Sequence, residues 1–273
     1  MTLYKQLSGF VDKGAGLLDC ESINAVEQFI CSLQNADGGF SDRAGHSDLY
    51  YSLFAHFILN GIHQTDYQEQ LKSFVSERGK EKGNQLVDLC CLAILNKDLK
   101  GNRLWGLKFL FSALKYSTIK GYGGSQVYPY FLLLLTLDVY GFNNRLTRCF
   151  AHRFYRNDAA LQGLPCPALA AQIVFKKQLE RDVRDDCNLL VSYFDEKFGF
   201  KVFPEAGSAD LLSTSVALFA LKTSNFDITL LAPGCLQFVD NNFREGAFLS
   251  GDGDENRDSE YTFYGLLALG ALA

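Results

Sequence analysis

Asp48-Leu-Tyr-Tyr-Ser-Leu-Phe-Ala55 returns as Asp210-Leu-Leu-Ser-Thr-Ser-Val-Ala217 and again as Asp258-Ser-Glu-Tyr-Thr-Phe-Tyr-Gly265. Each stretch opens on an aspartate and runs on through small and apolar residues. That is how a buried helix begins, because an Asp carboxylate accepts from the unpaired amides of the first turn. Self-similarity of this kind marks a repeat architecture. Carrying the register along the chain finds weaker copies at Asn84, Ser125 and Gly163. The six starts at 48, 84, 125, 163, 210 and 258 are then separated by 36, 41, 38, 47 and 48 residues. Seven residues after each start stands Ala55, Cys91, Leu132, Ala170, Ala217 or Gly265. All but Leu132 are small, which lets neighbouring helices approach closely.

Between these helices lie segments with polar residues at helical spacing, roughly Glu21 to Leu33, Asp66 to Val75, Arg103 to Tyr116, Asn143 to Tyr155, Asp182 to Phe194 and Ile228 to Asn242. Each is followed by a Gly-containing loop and then by a more apolar helix. Six outer-inner pairs of about 40 residues close into a ring. The expected fold is therefore all-α: an (α/α)6 toroid around an apolar central cavity, forming a single domain over residues 1–273. Glycine clusters such as Asp37-Gly38-Gly39 and Gly121-Tyr122-Gly123-Gly124 read as turns, and no Pro-, Ser- or Gly-rich linker divides the chain. The inner helices point one way, with their N-termini at one mouth.

The net charge of -5 and the lack of a basic stripe argue against nucleic acid and a membrane surface as partners, since phosphate neutralisation needs clustered Lys and Arg. Met1 to Lys13 has no basic region followed by a signal-like apolar run, and the longest apolar run, Tyr128 to Leu137, is too short to span a bilayer. A soluble, cytoplasmic protein is expected. The eight cysteines include no C-x2-C pair, and Cys90 and Cys91 are adjacent. Cys31, Cys90, Cys91 and Cys149 fall in apolar helical segments and read as buried, reduced thiols.

Gln34-Asn-Ala-Asp-Gly38-Gly-Phe40 has the form Q-x-x-x-G-x-[WF] and resembles the turn motif of squalene and oxidosqualene cyclases. Asp37 to Ser52 is similar to repeats in the β subunit of Rab-type protein geranylgeranyltransferases. This resemblance to the prenyltransferase and squalene-cyclase repeat superfamily organises the chain from about residue 20 to its end. It implies a cavity for an isoprenoid or other long apolar molecule, with a protein partner subunit as a further expectation.

The zinc site of protein prenyltransferases uses an Asp and a Cys in a D-x-C step and a His at the head of the next inner helix. Asp210 matches the first ligand, but Leu212 and Tyr261 occupy the other two positions, and zinc needs soft or nitrogen ligands. Pro204 and Gly207 stand where the family's diphosphate-binding step has basic residues. Neither a metal nor another cofactor is expected.

The cyclase branch protonates an alkene with an acid in a D-x-D-D-T step. Asp258-Ser-Glu260-Tyr261-Thr262 superimposes on it, with Glu260 at the proton donor's place and Tyr261 replacing the following Asp. A carboxyl in an apolar cavity has the raised pKa that a general acid requires. A first-turn Glu also complements the helix macrodipole, which is the structural reading of Glu260. The resemblance makes Glu260 and Asp258 the catalytic candidates, and the shared register of the helix starts makes Asp48, Tyr51, Tyr128, Asp210, Tyr261 and Tyr264 the substrate-binding candidates at the mouth. Tyr50, Phe54, Phe131 and Phe263 also sit near inner-helix starts, where rings either line a pocket and stabilise cations or pack helices together.

Other features read as structural: Asp252 to Asp258 as a solvated acidic turn lacking a full calcium-loop pattern, Asp182 to Asp186 as an outer-helix start, and His56 as a satisfied core residue. Glycosidases, which need paired carboxylates in a polar cleft, are disfavoured, with Trp105 the only tryptophan for stacking. Three readings of function stand: a diverged prenyltransferase-like binder of apolar chains, a small terpene-cyclase-like enzyme using Glu260, and a non-catalytic interaction scaffold. Fold alone does not choose among them.

Overall fold

A computed structural model describes residues 2–119, 127–142, 161–195 and 199–273, without the side chains of 117–119, 127, 128 and 130. Twelve helices are present among the described residues: α1 (Leu3–Ala15), α2 (Cys20–Ser32), α3 (Leu49–Gly61), α4 (Gln68–Arg78), α5 (Leu86–Asp98), α6 (Arg103–Ile119), α7 (Val127–Val139), α8 (Cys166–Gln178), α9 (Arg184–Val191), α10 (Leu211–Thr223), α11 (Ala232–Asn241) and α12 (Ser259–Leu272). Three two-residue hairpins complete the order: β1 (Phe40–Ser41) with β2 (Ser47–Asp48), β3 (Phe194–Asp195) with β4 (Gly199–Phe200), and β5 (Phe243–Arg244) with β6 (Ala247–Phe248). The all-α class is thus observed. The start at Ser125, the segment 143–155 and Cys149 lie outside the described residues.

The three strongest repeats start as their aspartates dictate. Asp48 accepts from the Tyr50 and Tyr51 amides at 2.8 and 3.0 Å, Asp210 from Ser213 at 2.7 Å, and Asp258 from Tyr261 at 2.8 Å. Where no aspartate marks the start, the helix begins later than the repeat register implies: α5 at Leu86 and α8 at Cys166. Pro165 is the extended N-cap of α8, and Pro167 occupies its first turn, where a missing N–H breaks no helical hydrogen bond.

A second column of the repeat lies four residues beyond each aspartate. The hydroxyls of Ser52, Thr214 and Thr262 accept the amides of Phe40, Phe200 and Phe248 at 2.8, 2.9 and 3.4 Å. Each hydroxyl therefore ties a hairpin to the helix that follows it, and all three phenylalanines are buried. Gly265 has no Cβ because the Phe248 ring occupies that space, 2.2 Å from where one would sit. Gly38, in the Q-x-x-x-G turn, combines a φ of 89° with the Gln70 carbonyl oxygen 2.2 Å from the Cβ position, so only glycine fits both demands.

The helices after these starts are apolar all round and become core. In α3 every residue from Ser52 to Leu59 is buried, whereas amphipathic α2 buries only Val26 and Ile30. The apolar helices pack in a cyclic series: α3 on α5, α5 on α7, α7 on α8, α8 on α10, α10 on α12, and α12 on α3. No helix among the described residues is long and apolar enough to cross a membrane.

One expectation is corrected. Cys31 is exposed, because it follows the buried Ile30 and one residue turns about 100° around the helix axis, towards solvent. Cys90, Cys91, Cys166, Cys187 and Cys235 are buried free thiols. In addition α1, which belongs to no outer-inner pair, packs on α3, α7 and α12. It meets the C-terminal parts of the apolar helices: the Tyr4 amide donates to Asp138 at 2.7 Å, the Tyr4 hydroxyl donates to Asp98, and Phe10 meets Phe219 edge-on at 5.7 Å. Its Leu3, Leu7, Val11 and Ala15, spaced four apart, form the buried stripe.

Candidate functional site

The helix register itself builds a cavity. Counting from the first residue of each apolar helix, positions 2, 5, 6 and 9 share one face. In α3 these are Tyr50, Leu53, Phe54 and Phe57, and in α12 they are Glu260, Phe263, Tyr264 and Leu267. All eight line a cavity of about 300 Å³, joined by the matching faces of α7, α8 and α10 and by Leu7 of α1. None of its lining residues comes from α5.

The lining falls into layers. Tyr50, Pro167, Leu212 and Glu260 occupy position 2 at the helix starts, and Phe57, Leu135, Val174, Phe219 and Leu267 occupy position 9. At 1.5 Å of rise per residue these layers lie about 10 Å apart. Between them, Phe54 packs against Tyr50, Phe263 and Tyr264 with ring centroids at 4.5, 4.9 and 5.7 Å.

Glu260 is the only charged side chain among the described lining residues. Its Oε1 accepts the Tyr50 hydroxyl at 2.7 Å. Removal from water pushes its carboxyl above the ordinary glutamate range, reinforced by Asp258, while the Tyr50 hydrogen bond and Arg43 pull the other way. The amide-capping role at this helix start belongs to Asp258, whose carboxylate holds the Tyr261 amide. Glu260 is left facing the cavity.

No protein-family model, no curated protein and no solved structure matches this chain.

The sequence-derived candidates divide into two groups. Glu260 and Tyr264 line the cavity, whereas Asp48, Tyr51, Asp210, Asp258 and Tyr261 do not. Asp48, Asp210 and Asp258 spend their carboxylates on helix caps. Burial pushes the Asp210 carboxyl up, against the lowering effect of its hydrogen bonding with Ser213, and it pushes the Tyr51 and Tyr261 hydroxyls up to about 12. The side chain of Tyr128, in the first turn of α7, lies outside the described residues. Of the aromatics expected near helix starts, Tyr50, Phe54, Phe131 and Phe263 do face the cavity.

Nothing in the sequence marks Arg43 as a neighbour of these residues. From the turn between β1 and β2 it reaches Asp258 and Asp254, both at 2.7 Å, with its guanidinium 5.5 Å over the Tyr261 ring. An arginine in a polar turn carries no local mark of a partner 215 residues away. The acidic turn from Asp252 is held by Asp254 accepting from the Asn256 amide at 3.0 Å and by Ser250 donating to Asp252. Asp186 meets the buried Lys176 at 2.6 Å, which gives that acidic segment a structural role. His56 is buried, with the Tyr67 hydroxyl 2.9 Å from Nδ1 and Asn60 3.0 Å from Nε2. Among the described residues no group of three or more His, Cys, Asp or Glu is placed to hold a metal ion.

Proposed function

We propose that the six apolar helices are the inner ring of an (α/α)6 toroid of the prenyltransferase and squalene-cyclase kind, and that its cavity binds a short isoprenoid-like apolar chain with an uncharged head. The cyclic packing of the apolar helices supports the first part. The observation that carries the second is a lining of aliphatic and aromatic side chains interrupted by one carboxyl, Glu260, and its Tyr50 partner. A volume of about 300 Å³ stands at the lower end of the range for small-molecule sites, so a ten-carbon chain suits it better than a thirty-carbon one. Arg43, beside the mouth, is already engaged by two carboxylates, and Pro204 and Gly207 supply no charge, so a diphosphate gains little here.

Isothermal titration with geraniol and with geranyl diphosphate tests this reading. Geraniol is expected to bind saturably, one per chain, and at least as tightly as the diphosphate. Ala171→Trp, which fills the cavity from α8, is expected to abolish binding while the fold persists. Absence of geraniol binding to the wild-type protein, or unchanged binding in Ala171→Trp, overturns it.

A second reading, proton donation by Glu260 to an alkene in the cavity, is favoured by that carboxyl's raised pKa and its isolation among apolar walls. A ligand with a double bond placed in the first layer would receive the proton, and the aromatic middle layer would face the resulting cation.

A further inference from the structure

We propose that Leu7 of α1 is the floor of the cavity and sets the length of chain that it accepts; this rests on the cavity binding an apolar chain. The helices that line the cavity supply its walls, and the end away from the mouth lies toward their C-terminal parts. That end is met by α1, the one helix outside the pairing scheme. Leu7 is 4% exposed and lines the cavity together with the position-9 layer of Phe57, Leu135, Val174, Phe219 and Leu267. It is the only α1 residue in the lining.

The placement of α1 is fixed from both sides of Leu7. On one side, the Tyr4 amide donates to Asp138 at 2.7 Å and the Tyr4 ring packs on Phe57 at 5.8 Å. On the other, Phe10 meets Phe219 at 5.7 Å, and Gly14 and Gly270 allow backbones to touch. A floor held this way does not retreat when a longer ligand enters.

The position-2 and position-9 layers are about 10 Å apart. An extended hydrocarbon advances roughly 1.2 Å per bond, as an extended backbone does over three bonds per residue. A tail whose head sits at Glu260 and Tyr50 therefore meets Leu7 after about eight or nine carbons. Shortening Leu7 to alanine withdraws two bonds of side chain and makes room for about two more carbons.

The test is titration of a series of straight-chain primary alcohols, from six to fourteen carbons, into the wild-type protein, Leu7→Ala and Leu7→Phe. While the tail still has apolar space ahead of it, affinity is expected to rise about fourfold per methylene. In the wild type the rise stops near nine carbons; in Leu7→Ala it stops about two carbons later, and in Leu7→Phe about two earlier. Each variant reports separately, so misfolding of one leaves the other decisive. A stopping point that stays fixed in the folded variants, while the wild type still binds, overturns the floor assignment alone. No binding of any alcohol to the wild-type protein overturns the cavity reading beneath it.

Discussion

Gly270→Ala is expected to lower the stability of the protein by about 3 kcal/mol, at the upper end of what overpacking costs. A Cβ at this position would stand 1.7 Å from the Phe10 carbonyl oxygen, and on the facing helix Gly14 stands in the same relation to the Leu266 carbonyl oxygen, at 1.9 Å. Both obstacles are backbone, so no side chain can turn aside. Relief requires α1 to slide or to leave, and leaving would expose Leu3, Leu7 and Val11, each worth roughly 1.5–3 kcal/mol when buried. Gly9→Ala is the control, because nothing lies within 4 Å of its Cβ position and alanine is the better helix former by about 1 kcal/mol. Urea unfolding should show Gly270→Ala far less stable than the wild type and Gly9→Ala at least as stable. Equal midpoints for the two variants would contradict the close crossing of α1 and α12.

Glu260→Gln is expected to have opposite effects on chemistry and on stability. If the cavity protonates its ligand, removing the transferable proton should cost about 10²–10⁴-fold in turnover with ligand binding retained. Stability responds to pH in a defined direction. The folded-state pKa of Glu260 is raised above that of the unfolded chain, so its favourable contribution is fully present below the unfolded pKa and is lost as pH rises through the folded one. Above that window the wild-type protein holds a desolvated carboxylate, whereas glutamine carries no charge. Melting temperatures should therefore favour Glu260→Gln at pH 8, with the difference shrinking as pH falls and closing near pH 4, about the unfolded glutamate value. Loss of folding in Glu260→Gln would assign this side chain to the helix start, a role that the Asp258 cap already fills. Full turnover in Glu260→Gln would eliminate proton donation.

The repeat was legible because its signals are local. An aspartate cap and the apolar run behind it follow one another within a single helix, so the starts at Leu49, Leu211 and Ser259 could be read from Asp48, Asp210 and Asp258. The hydroxyl column at Ser52, Thr214 and Thr262 was equally visible as a pattern, but its meaning depends on hairpin amides 12 or 14 residues upstream. Glu260 was found through its resemblance to an acid motif, and the structure adds the Tyr50 hydroxyl that no motif contained. Arg43 was hidden because its carboxylate partners lie more than two hundred residues away in sequence. The α1 stripe of Leu3, Leu7, Val11 and Ala15 was present in the sequence at helical spacing. What spacing does not show is the surface on which such a stripe comes to rest, and here that surface is formed by α3, α7 and α12.

Native mass spectrometry of protein purified without detergent addresses the central claim most directly, because it reads the occupant of the cavity from the intact chain. The wild-type protein is expected to carry one small apolar molecule, or to take one up stoichiometrically when incubated with geraniol, and Ala171→Trp is expected to carry none. A wild-type chain that stays at its bare mass of 30.5 kDa in excess geraniol, or an adduct that persists unchanged in Ala171→Trp, would contradict an apolar binding cavity at this site.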